Sequence, residues 1–158
     1  MEEVARSAGV GIGTLYRHFP NRSDLVVEVY RAEISKLAAE ANSLAASQPP
    51  LEALRSWLTL FVDHLSDNIV LGDAVKALAG EDAKHDAAIT DQLNQSLNLL
   101  FERPIADGTI ADPEIEPLDF LRALYGIATA SPSSDWDKAA RRMVDVLIAG
   151  LKPVDART

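Results

Sequence analysis

Near its start the chain gathers side chains suited to gripping an anion: Thr14, Tyr16, Arg17, His18 and Arg22. A guanidinium pairs well with phosphate, and that of Arg17 equally suits the paired acceptors on the edge of guanine. The Tyr16 hydroxyl can donate to phosphate, and its ring can rest on a thymine methyl. Thr14 stands near the start of a short helix, where backbone N–H groups favour a phosphate. Such groups meet double-stranded DNA productively only when something rigid presents them to a groove.

The surrounding residues describe that support. Residues 4–22 read as a short helix, a glycine-bearing turn and a second short helix, the spacing of a helix-turn-helix. Ala5 is small enough for the second helix to cross close by. Gly9 can take the positive φ that a turn needs there. Val10 and Leu15 are expected to face the core, with Phe19 closing it, while Tyr16, Arg17 and His18 project outward.

The run from Gly9 to Leu25, GVGIGTLYRHFPNRSDL, resembles the tetracycline-repressor-type (TetR) family of bacterial regulators. That family places an alanine-glycine-valine turn before a glycine-threonine-leucine-tyrosine recognition helix, then a phenylalanine and a cap before a long helix. The resemblance implies that Thr14, Tyr16, Arg17, His18 and Arg22 contact DNA, Arg22 standing where the family commonly has lysine. Gly11 and Ile12 occupy positions more often polar there, which would remove a phosphate contact. The resemblance also implies a further helix ahead of Met1, so the head is expected to be an incomplete three-helix domain lacking one wall. The start would then reflect an internal methionine, a truncation or a natural difference.

Composition narrows the class. The chain has 158 residues, 47% of them hydrophobic, enough for a real core. It has no cysteine, hence no disulfide framework or thiolate metal site. No apolar run approaches ~18 residues, so a cytoplasmic protein with no membrane partner is expected. A net charge of −9 argues against a protein that coats nucleic acid non-specifically. The excess of acid lies after residue 60, whereas residues 1–36 are near neutral.

The periodicity is helical throughout, with no strand pattern. Asn21 is a good N-cap, with Asp24 in the first turn. A long helix from there to about Ala46, some 37 Å at ~1.5 Å per residue, turns Leu25, Val29, Ile34, Leu37, Ala38, Ala41 and Leu44 inward. Further helices are expected over about 51–66, 69–78, 82–101, 117–129 and 134–151, the last capped by Ser134. The stretch from Pro104 to Pro117 reads as a loop. The expected fold is all-α: a helix-turn-helix head and connecting helix over 1–46, and a helical ligand-binding and dimerisation bundle over 47–158.

Within the bundle, Trp57, Leu58, Phe61, Val62, Leu65, Val75, Leu78, Leu93, Leu97 and Phe101 can line an apolar cavity, with His64 and Asn94 as polar anchors. The same stripes also describe ordinary core. The resemblance implies that such a cavity takes a small effector, here a largely apolar one. It also implies that the last two helices of two subunits form a four-helix dimer interface, through Leu121, Leu124, Tyr125, Met143, Val146 and Leu147. Two-fold symmetry would then set two heads about 34 Å apart, at successive major grooves of a pseudo-palindromic operator.

Other chemistry finds little support. Glu81, Asp82, His85 and Asp86 include a carboxylate–histidine spacing that can hold a divalent ion, but a solvated helix start explains these acids better. No nucleophile motif, phosphate loop or paired-carboxylate signature occurs, so neither an enzyme nor a cofactor is expected. The alternative to a DNA-binding regulator is a dimerising, ligand-sensing module that does not bind DNA by itself.

Overall fold

The computed structural model describes residues 1–67, 87–112, 115–130 and 135–153. Its described helices are α1 (Glu2–Ser7), α2 (Ile12–His18), α3 (Arg22–Ser47), α4 (Pro50–Asp67), α5 (Ala87–Ala106), α6 (Pro117–Ala130) and α7 (Trp136–Gly150). Among the described residues there is no strand, and no helix is long and apolar enough to cross a membrane.

The long helix α3 starts as its sequence dictates. The Asn21 side chain accepts from the backbone N–H of Asp24 at 2.9 Å, satisfying a donor that the helix leaves orphaned. Ile34, Leu37 and Ala41 then bury one stripe against α4 and α5. Val29, expected inward, is exposed, because it lies off the stripe that Val26, Ile34, Leu37 and Ala41 turn toward the core. The second half of α3 therefore belongs to the body's core rather than to a linker outside it.

Helix α4 carries the centre of that core. Leu54, Trp57, Leu58, Phe61 and Val62 are all fully buried, meeting Leu93 and Leu97 of α5 and Val144 and Ile148 of α7. Trp57 and Phe61 lie nearly parallel, 6.3 Å between ring centres, and Phe101 tilts against Phe120 at 5.1 Å. The Trp57 indole N–H donates to the Leu37 carbonyl at 2.9 Å, pinning α4 to the middle of α3. Two ion pairs, Arg55–Asp145 and Arg141–Asp63, join α4 to α7 along the rim.

One boundary differs from the periodicity. Helix α5 runs through Pro104 to Ala106 instead of ending near Phe101. Proline in a last turn forfeits only the bond its missing N–H would give the Leu100 carbonyl, and the turn that follows is closed by other bonds. Gly108 takes φ +75°, Ile110 N–H returns to the Pro104 carbonyl at 3.0 Å, and Ile110 buries in the core. Ala111 N–H then bonds the Leu151 carbonyl at 2.9 Å, tying this turn to the end of α7. The helix expected over 69–78, the start of the one expected at Asp82, and the Ser134 cap lie outside the described residues. Asp135 occupies the N-cap position of α7 without a side-chain bond to the helix backbone, its carboxylate accepting instead from Lys138 Nζ at 2.8 Å.

Candidate nucleic-acid interface

The head is built on little apolar burial. Ala5 of α1 and Leu15 of α2 are buried against each other's helices and stand apart from the main core. Gly9 has φ +68°, which lets Val10 N–H reach the Ala5 carbonyl at 3.0 Å and closes the turn. Val10 itself is exposed, not inward as expected, and so is Val4. Ala5 and Leu15 are the residues that α1 and α2 bury, and neither valine is among them. Phe19 is half-buried at the end of α2, its ring 6.4 Å from that of His18.

The polar tips emerge on one short helix. Tyr16, 48% exposed, borders an open hollow with Met1, Glu2, Glu3 and Arg6. Arg17 and His18 are exposed, Thr14 half-exposed, and Arg22 exposed at the first turn of α3. Arg17 folds back along its helix: Nη2 donates to Thr14 Oγ1 at 3.2 Å, and Nε to the Gly13 carbonyl at 3.4 Å. Elsewhere in the head, Arg6 pairs with Glu3 and Arg31 with Glu28. No described carboxylate pairs with Arg17 or Arg22, so both charges remain available to an anion from outside.

The expected effector residues scatter differently. Trp57, Phe61, Leu65, Leu97 and Phe101 converge in the main core, all buried. Asn94 is half-buried on α5, and Leu78 and Val75 lie outside the described residues. His64 Nδ1 stands 3.5 Å from Glu33 Oε2, both side chains largely buried, at 20% and 14% exposure. Lys36 holds the other oxygen of Glu33. Glu33 was not singled out by sequence. It lies a long way from His64 along the chain, and only the α3–α4 crossing brings them together. The acidic group Glu81, Asp82, His85 and Asp86 lies outside the described residues.

The expected dimer residues divide into two sets. Leu121 and Leu124 are fully buried within the protomer's own core, so they cannot form a surface for a second copy. Both faces of α6 are apolar, and the sequence pattern cannot say which one the chain itself covers. Met143 and Val146 are exposed on α7, Val146 at 62%, with Leu147 and Tyr125 half-buried beside the core. Below them Ala140, Val144 and Ile148 form the inward stripe of α7.

Comparisons with known proteins agree with this architecture. Residues 49–153 match the family model "Transcriptional regulator SbtR-like, C-terminal domain", and residues 1–29 match "Bacterial regulatory proteins, tetR family". The repressor KstR of Mycobacterium tuberculosis is 31% identical over 110 residues, covering 68% of this chain and 50% of its own length. KstR of Rhodococcus jostii is 30% identical over 128 residues, covering 80% and 58%. The chain thus spans about half the length of the curated relatives it matches. Among solved structures, the regulator SCO0520 of Streptomyces coelicolor superposes with a TM-score of 0.72 at 35% identity, over 97% of this chain and 87% of that one. A regulator of Mycobacterium vanbaalenii gives 0.66 at 26% identity, over 96% and 81%.

Proposed function

Because this chain belongs to the TetR family of bacterial transcriptional regulators, we propose that it is a DNA-binding repressor, acting in the cytoplasm as a homodimer and released by a small apolar effector. The observation that carries the reading is α2. It is a short helix held by Leu15 and the Gly9 turn, with Tyr16, Arg17 and His18 outward and no described carboxylate on Arg17. Thr14, Tyr16, Arg17, His18 and Arg22 hold the operator. The near-neutral head meets phosphate, and the acidic body stays clear of it.

The division of labour follows α3. Its N-terminal end follows the head, and from Val26 onward one stripe packs against the body that would receive the effector. Aromatic and aliphatic side chains there, Trp57, Phe61, Leu65, Leu97 and Phe101, with Leu78 from outside the described residues, suit an apolar molecule. Asn94 and His64 offer polar anchors, and His64 already faces Glu33 of α3. A ligand that shifts α4 against α3 alters the angle of the head. To switch the equilibrium strongly it must prefer one arrangement by several kcal/mol. The exposed Met143 and Val146, beside Tyr125 and Leu147, supply the surface for the second subunit.

Nuclease footprinting on the DNA upstream of the gene tests the proposal. Two protected half-sites, their centres one helical turn or a multiple apart, are expected. A chain that is folded and dimeric yet protects nothing would overturn it in favour of a sensing module.

A further inference from the structure

We propose that Arg17 and Thr14 act as one unit, a two-donor clamp on a single backbone phosphate, and that Arg17 does not read a base. This rests on the regulator reading above and assigns the role of a side chain whose chemistry suits either guanine or phosphate. The side chains stand one turn apart on α2. The Thr14 oxygen accepts from Arg17 Nη2, so its own hydroxyl proton points elsewhere and stays free to donate. The Arg17 guanidinium is held down at two points, by Thr14 Oγ1 and by the Gly13 carbonyl. Its remaining N–H groups lie beside that free hydroxyl.

Two adjacent donors of different kinds fit a group with several acceptor oxygens, which a phosphodiester has. Guanine needs the opposite arrangement: one arginine reaching away from its helix, its fork turned to two acceptors on a base edge. To do that, Arg17 would have to give up both of its bonds to the helix. The charge is also unspent. Arg6 and Arg31 already face carboxylates, whereas no described carboxylate pairs with Arg17.

The test is binding of the whole chain to its operator, and to operators carrying single base changes, across a salt series. The variants are Arg17→Ala, Arg17→Lys, Thr14→Val and the Arg17→Ala/Thr14→Val pair, with helix content checked by circular dichroism. Arg17→Ala is expected to weaken every operator by the same factor, about tenfold, and to lower the salt slope by about 0.9 for each head engaged. Thr14→Val weakens binding uniformly too. The double variant is little worse than Arg17→Ala alone, because the two donors serve one phosphate. Arg17→Lys keeps most of the slope, as a point charge suffices for phosphate. Loss of preference at one guanine position with an unchanged slope would overturn the clamp, as would single losses that multiply in the double variant. If the unaltered chain binds no duplex at all, the regulator reading itself fails and takes the clamp with it.

Discussion

Trp57 shows how much one side chain carries here. It fills the middle of α4 without exposure, stacks on Phe61 and spends its N–H on the Leu37 carbonyl. Trp57→Phe keeps most of the volume and loses the bond, for an expected cost of about 1–2 kcal/mol. Trp57→Ala empties the site and is expected to cost about 3–5 kcal/mol; chemical denaturation measures both. Asp107 is a smaller case at the surface. Bonds from the Thr109 side chain and backbone hold its carboxyl below the ordinary value of 3.8. The folded form therefore binds a proton less readily than the unfolded one. The stabilisation is present above the ordinary value and is lost as pH falls through the lowered one. Thr109→Ala is expected to move the Asp107 titration upward, as followed by NMR. Sequence singled out Trp57 as a large apolar group on a helical stripe. Its bond to Leu37 was invisible there, since it depends on how two helices cross. The same holds for His64 and Glu33.

Elements were legible wherever local chemistry decides them. The Asn21 cap and the Pro49-Pro50 break fix both ends of α3 almost as read. The positive φ of Gly9 follows from the turn that the sequence spells. Pro104 misled because proline reads as a stop, yet near a helix end its lost bond is cheap and Gly108 folds the chain back over it. Val10 misled because a β-branched residue beside a turn reads as core, while the two short helices bury only Ala5 and Leu15. The Gly9 turn yields a prediction. Space around it is open, so Gly9→Ala meets no clash and pays only for the left-handed backbone, about 1 kcal/mol. Amide exchange in residues 1–20 should quicken by roughly the fivefold that this energy implies, with the body unchanged. Equal loss of protection in α4 would show instead that head and body unfold together.

At the scale of the molecule, the all-helical architecture was plain in the sequence, and the family resemblance named the kind of protein. The face that α6 and α7 leave uncovered was only half legible. Periodicity marks apolar faces without saying which of them the protomer covers, so Leu121 and Leu124 were read outward and lie inward. The two sets now predict different failures. Val146→Glu places a charge on an exposed apolar patch and is expected to yield a folded monomer, read by light scattering at micromolar concentration. Leu124→Ala is expected to cost the protomer about 2–5 kcal/mol through a core cavity. DNA binding is best measured by fluorescence anisotropy of the 158-residue chain on tiled duplexes from upstream of its gene, at two salt concentrations. Saturable, sequence-dependent binding that weakens with salt is expected. A folded, dimeric chain that binds no tile, or binds all alike, would contradict it.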